Sequence, residues 1–481
     1  MLLASIQLIC ILLSGVGVYA ALLVFGSIRI KVRFPIVIDF LAFFTFVNVF
    51  LWHVLPAFLR ILSQGQHEKN DGILPFEILQ VYTFELFSFL IFLLPFMAVF
   101  QIKSLNHVYL KSSSLQKIIS QNRMELREFY RSYSLRKFQP HRSFTLFIIL
   151  LGIYFELQKL ILKIDAGLFP PIDWLLVPVV IKSSLILTIH QIFILNFYKK
   201  RLEPFLIFVT FFLILLLGAA NGSHGSIFAP VLYLCFYNLF HNINKPTMYV
   251  GLFLFLFLAL FYKEMHQVRA LSSLPNAALL TPQEKLILIV SSDSAVTETH
   301  TPGSSFLDKV EWRFGENSRM SVGFIRMYEN GNSAGLKPFE NSLYLLPRAF
   351  YADKPIPGSV DGTALGLGMR LIHNNIRGTL WNMSGFFTGL HGYWEFGLRG
   401  VAMASFFSGI YCALVVLLCV NFKYLGLPLL IIMHDTWWWA IPKIWSYEIS
   451  IQLFNLLLPF LFIWLAFKYS HAAFRNLKRQ L

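Results

Sequence analysis

The chain has 481 residues, of which 56% are hydrophobic and only 14% charged, with 50 Phe and a mean hydropathy of +0.62. That balance excludes an ordinary soluble domain of this length and predicts an integral membrane protein. The formal net charge of +15 does not call for nucleic acid, because Lys and Arg collect in the cytoplasmic loops of membrane proteins.

The first element, Leu2 to Phe25, is long enough to cross a hydrocarbon layer of roughly 30 Å as a helix. It has no basic leader and is followed by Arg29, Lys31 and Arg33, so a retained first span is expected rather than a cleaved signal peptide. Further apolar runs at 34–57, 77–101, 143–163, 172–197, 203–220, 226–242, 247–262, 399–420, 424–442 and 449–468 bring the expected count to about eleven spans. The fold class is therefore all-α and polytopic. Loop 102–142 carries Lys103, Lys111, Lys117, Arg123, Arg127, Arg131, Arg136, Lys137 and Arg142 against Glu125 and Glu128, which places it in the cytoplasm. Lys199, Lys200, Arg201 and the tail with Lys468, Arg475, Lys478 and Arg479 fall on the same side, and the alternation is unbroken. The amino terminus and residues 263–398 then face outward. Three regions result: spans one to eight over 1–262, a large outer loop over 263–398, and spans nine to eleven with a cytoplasmic tail over 399–481.

The outer loop is the one long hydrophilic stretch on its face and the natural place for a catalytic or binding region. Within it, 281–290 reads as a short amphipathic element, 290–305 as loop, and 306–331 as a helix beginning near Ser305. Cys10, Cys235, Cys412 and Cys419 all lie in apolar runs without paired spacing and read as packing residues.

Near the end of the loop stands "LPRAFYADKP", where Pro347 and Pro355 stiffen a turn carrying Arg348, Asp353 and Lys354. A guanidinium offers paired donors to phosphate and an ammonium adds a point charge, so Arg348 and Lys354 fit a pyrophosphate. Chemistry alone leaves open contact with lipid headgroups, or pairing with Asp353.

That signature, followed about forty residues later by "GLHGYWEFGLRG" with Tyr393, Phe396, Gly397 and Gly400, resembles the O-antigen polymerase (Wzy-type) family of oligosaccharide repeat-unit polymerases. The likeness covers the membrane plan broadly and residues 306–400 most closely. The chain departs from the family where His391 replaces an acidic residue two positions before Tyr393, with Glu395 two positions after it. It departs again where "NGSHGS", with His224, stands in place of a Gly-Ser-Arg-Gly turn.

What the resemblance implies is an enzyme of a bacterial inner membrane. It would move a growing glycan from undecaprenyl pyrophosphate to the terminal sugar of the next lipid-linked unit, working beside a flippase and a chain-length regulator. Cations fixed at the departing pyrophosphate would stabilise the transition state more than the ground state. Arg348 and Lys354 are the first choices for that role. Arg319, Arg326, Arg377, His224 and Tyr393 are candidates for binding substrate, and Asp353, His391 and Glu395 for the general base. No cofactor or metal is expected, since Asp293 stands alone in "SSDSAV" without the second carboxylate of a metal-binding pair. A ligase that delivers glycan to another acceptor would use the same chemistry at pyrophosphate. A flippase or transporter is the rival from another class, and the absence of a visible repeat argues against it.

Charged or titratable groups also fall within or near the apolar runs: Asp39, Glu85, Glu156, Lys182, His190, His434 and Asp435. Such groups are costly in hydrocarbon unless paired or functional. Glu156 and Lys159 are spaced to pair along one helix face.

Overall fold

The computed structural model describes residues 2–65, 72–134, 147, 150–154, 315, 318, 321–326, 328–331 and 390–421. The described elements are all helical. They are α1 (Leu2–Arg29), α2 (Pro35–Val49), a π-helical turn (Phe50–Val54), α3 (Leu55–Leu62), α4 (Pro75–Val99), a 3-10 turn (Val108–Leu110), α5 (Ser112–Ser134) and α6 (Leu390–Asn421). Residues 315, 318, 321–326 and 328–329 are helical as well, within the helix expected over 306–331. Among the described residues four helices are long and apolar enough to cross a membrane: Leu2–Arg29, Pro35–Leu62, Pro75–Val99 and Phe396–Asn421. They correspond to the first, second, third and ninth expected spans. The chain is a helical membrane protein. Span 143–163 is described only at helical residues 147 and 150–154, and the other six spans lie outside the described residues.

The chain divides into two compact units. One comprises Met1–Ser114, His300–Asn421 and Thr436–Gln452. The other comprises Leu115–Thr299, Phe422–Asp435 and Leu453–Leu481, and most of α5 belongs to it. Loop 102–142 was read as a connection, yet it contains this helix of 23 residues. Leu115, Ile118, Ile119, Leu126 and Phe129 recur near helical period among its charges, and Ile118 and Asn122 are buried.

The first unit holds the bundle. On α1 one stripe, Ile6, Gln7, Cys10, Ser14, Gly17, Ala21, Val24 and Ile28, is buried. Another stripe, Leu8, Leu12, Val16 and Tyr19, stands exposed and suits a lipid environment. Pro35 and Pro75 occupy first-turn positions of α2 and α4, where a missing N–H costs no helical bond. The Glu77 carboxylate accepts the Leu74 N–H at 2.7 Å and closes the start of α4.

Where α2 approaches Pro56, the chain widens into the π turn, and the Leu55 N–H reaches the Phe50 carbonyl. Proline has no N–H to give and its ring crowds the carbonyl four residues back, which is the physical reason for a wider turn here.

α6 packs chiefly on α4. Gly409 lies against the Phe92 carbonyl and the Pro95 ring, where any Cβ would collide. A hydroxyl pair, Ser88 and Ser405, joins the two helices at 2.7 Å inside the bundle. At one end of the bundle Arg29 Nε bonds Asp39 at 2.9 Å. Tyr109 donates to the same carboxylate, and Lys31 Nζ reaches the Gln101 carbonyl at 2.5 Å. The opposite end gathers the last turn of α3, the start of α4, the 315–331 stretch and the head of α6.

Candidate functional site

At that second end the structure places two of the ten sequence-chosen site residues with their side chains. Arg326 grips Glu77 through one edge of its guanidinium, Nε to Oε1 and Nη2 to Oε2, both at 2.7 Å. Nη2 also donates to the Gly72 carbonyl at 2.9 Å. The loop residue is thereby tied to the first turn of α4, and half of its donor fork is committed to a carboxylate.

Tyr393 is buried between rings. Its centroid lies 5.2 Å from Phe84 in a stacked pair and 5.2 Å from Tyr328 in an edge-on pair. Burial, and then the neighbouring Glu329 and Tyr328, hold the Tyr393 phenol above its usual range. Its hydroxyl bonds the Glu329 carboxylate. Its aromatic face is used for packing.

The segment around Tyr393 is a sharp reversal. α6 breaks at Phe396 and Gly397, and Gly397 has φ +61° and ψ −147°, a combination open almost only to glycine. A Cβ at Gly397 would sit 3.0 Å from the Tyr328 ring. The reversal presses the Gly392 carbonyl against Gly400, where a Cβ on either residue would collide with the other's backbone. The spacing Tyr393, Phe396, Gly397, Gly400 therefore has a geometric cause. The Tyr anchors, the first Gly turns the chain, and the second admits the returning strand of backbone.

His391 and Glu395 lie on the short helical arm before this break. Arg348, Lys354, Asp353, Arg319, Arg377 and His224 lie outside the described residues. Among the described residues no cluster of three or more metal-ligating side chains occurs.

Sequence reading missed the residue that links these parts. Arg60, on the last turn of α3, is wholly buried. It donates to Tyr82 Oη at 3.3 Å, to the Gly315 carbonyl at 3.4 Å and to Ser318 Oγ. Tyr82 passes its own hydroxyl proton to the His53 carbonyl at 2.8 Å. His53 Nδ1 lies 2.9 Å from Glu85 Oε2. The span predicted over 34–57 stopped short of Arg60, which left that residue in a connection. A signal existed, because "LPAFLRIL" continues the apolar period for two more turns.

In comparisons with known proteins, no family model, no curated protein and no solved structure matches the chain.

Proposed function

We propose that this protein polymerises undecaprenyl-pyrophosphate-linked oligosaccharide units at the outer face of a bacterial inner membrane, as a metal-independent glycosyltransferase. The reading starts from "LPRAFYADKP" and the Tyr393 to Gly400 segment. One structural observation supports it most: the Tyr393 to Gly400 reversal is packed on Tyr328 of the outer-loop stretch. Tyr328 lies inside the region 306–400 over which the likeness is closest, and the Tyr393 to Gly400 segment meets it at one end of the bundle. The other end carries Arg29 and Lys31, and by the distribution of basic residues that end faces the cytoplasm.

In this reading Arg348 and Lys354 hold the pyrophosphate. As the bond from the anomeric carbon to the pyrophosphate oxygen breaks, negative charge grows on the leaving group, and fixed cations stabilise it. The Arg326 to Glu77 clasp ties the stretch before these cations to the first turn of α4.

The deciding experiment is glycan chain length in cells whose one copy of the gene encodes Arg348→Ala, with membrane abundance matched to wild type. Single repeat units on the final acceptor, without long chains, are expected. Unchanged long chains would overturn the reading and favour a transporter of lipid-linked sugar. Complete loss of glycan from the acceptor, with polymer left on the lipid carrier, would favour a ligase.

A further inference from the structure

Two titratable groups of α4, Glu85 and Tyr82, meet His53. Glu85 of α4 lies 2.9 Å from its Nδ1, with the two side chains 17% and 7% exposed. Cys10 of α1 lies within electrostatic reach of Arg60 of α3 and of Glu85. Tyr82 of α4 sits edge-on to the imidazole, 5.6 Å between centroids, and hydrogen-bonds the backbone of the same residue. From the loop stretch, Ser318 and the Gly315 carbonyl approach Arg60.

Two independent features mark this as more than a strut. First, joining helices in this bundle needs no ionisable group, as the neutral Ser88 to Ser405 bond shows. Burying an imidazole and a carboxylate in a span is costly and usually serves a function. Second, His53 lies in the π turn, a backbone form that recurs at functional sites. The Glu85 carboxylate stands 2.9 Å from the His53 ring nitrogen, where it would face a positive charge on the imidazole. Gln7 of α1, one helical turn before Cys10 on the same face, is fully buried, and its amide atoms have no hydrogen-bond partner among the described residues.

We infer that His53 and Glu85 form a proton-binding pair at this end of the bundle. Its use rests on the polymerase reading: the pair receives the proton released when a sugar hydroxyl attacks. The acceptor oxygen forms its bond to the anomeric carbon. The bond from that carbon to the pyrophosphate oxygen breaks and its electron pair leaves with the pyrophosphate. The hydroxyl proton ends on the His53 imidazole. His53 thus joins Asp353, His391 and Glu395 as a candidate base, with a carboxylate oxygen 2.9 Å from its Nδ1.

The test uses the full-length protein in lipid nanodiscs. pH-jump infrared difference spectra of wild type are expected to show imidazole ring bands together with a perturbed buried carboxylate. Glu85→Gln keeps the ring bands and loses the carboxylate component, and His53→Gln loses both. Spectra of His53→Gln identical to wild type, in protein of equal thermal stability, would overturn the pair. Its use is read separately, with purified lipid-linked units. His53→Gln is expected to slow polymerisation by about 10²-fold or more and to remove the fall in rate on the acid side. A wild type that binds the proton but makes no polymer would refute the polymerase reading and leave the pair standing. Polymerisation by His53→Gln at the wild-type rate and pH profile would refute its role as base.

Discussion

Arg326 and Glu77, 249 residues apart in sequence, form a two-point ion pair with both N to O distances at 2.7 Å. Glu77 simultaneously accepts the Leu74 N–H at 2.7 Å, so one carboxylate both starts α4 and holds the loop stretch. Arg326→Ala is expected to destabilise the protein by about 1.5–3 kcal/mol, the range for hydrogen bonds to charged groups. Arg326→Lys should recover little of this, because an ammonium cannot match the two carboxylate oxygens in one plane. Glu77→Ala should cost more than Arg326→Ala, since it also removes the helix cap. Thermal unfolding in detergent checks the order, and equal losses for Lys and Ala at position 326 with a larger loss at Glu77 is the expected pattern.

Gly397 carries the second prediction. Its φ and ψ lie outside the left-handed helical region that Asn tolerates. Gly397→Ala and Gly397→Asn should therefore be about equally harmful, each by roughly 1–3 kcal/mol from backbone strain, before the contact with Tyr328 is counted. Asn restoring wild-type stability would show that the turn is an ordinary left-handed one.

Arg60 gives the third. Replacing it by Met leaves Tyr82, Ser318 and the Gly315 carbonyl without a donor. Each lost bond to the guanidinium costs about 1.5–3 kcal/mol. Arg60→Met combined with Ser318→Ala should lose less stability than the sum of the two single variants, because both remove one shared bond. Additive losses in the double variant, measured by thermal unfolding, would show that Arg60 and Ser318 do not act on one another.

Hydropathy made the spans legible, since four of them are visible as helices within a few residues of the predicted bounds. The period-2 and 3.6 patterns lose force where both faces of a helix are apolar, and that is why the ends were misplaced around Arg60. Loop 102–142 hid α5 because its nine basic residues decided its side of the membrane and drew attention from Ile118 and its neighbours. The Gly397 and Gly400 spacing was visible as a motif, but its cause was not, because the reversal depends on Tyr328 some seventy positions earlier. The His53 and Glu85 pair was partly visible: Glu85 stood out as a charge in a span, while its partner comes from another helix and no spacing along the chain announces it.

The last prediction concerns the Arg29 end. Tyr109, in the 3-10 turn outside the spans, donates its hydroxyl proton to Asp39, which also binds Arg29. Burial, and next the Asp39 carboxylate beside it, push the Tyr109 phenol well above its ordinary range. An unfolded chain releases that proton near pH 10 or about that value, whereas the folded chain keeps it. Above this pH the unfolded state binds fewer protons than the native state, so the stability that Tyr109 contributes is full below pH of about 10 and falls as pH rises further. Tyr109→Phe should be less stable than wild type near neutrality, because the Asp39 oxygen loses its donor. The difference between the two should then shrink on going from neutral to strongly alkaline buffer. Melting temperatures of both proteins across that range check the sign: a gap that widens with pH would mean that Asp39 does not hold the Tyr109 proton.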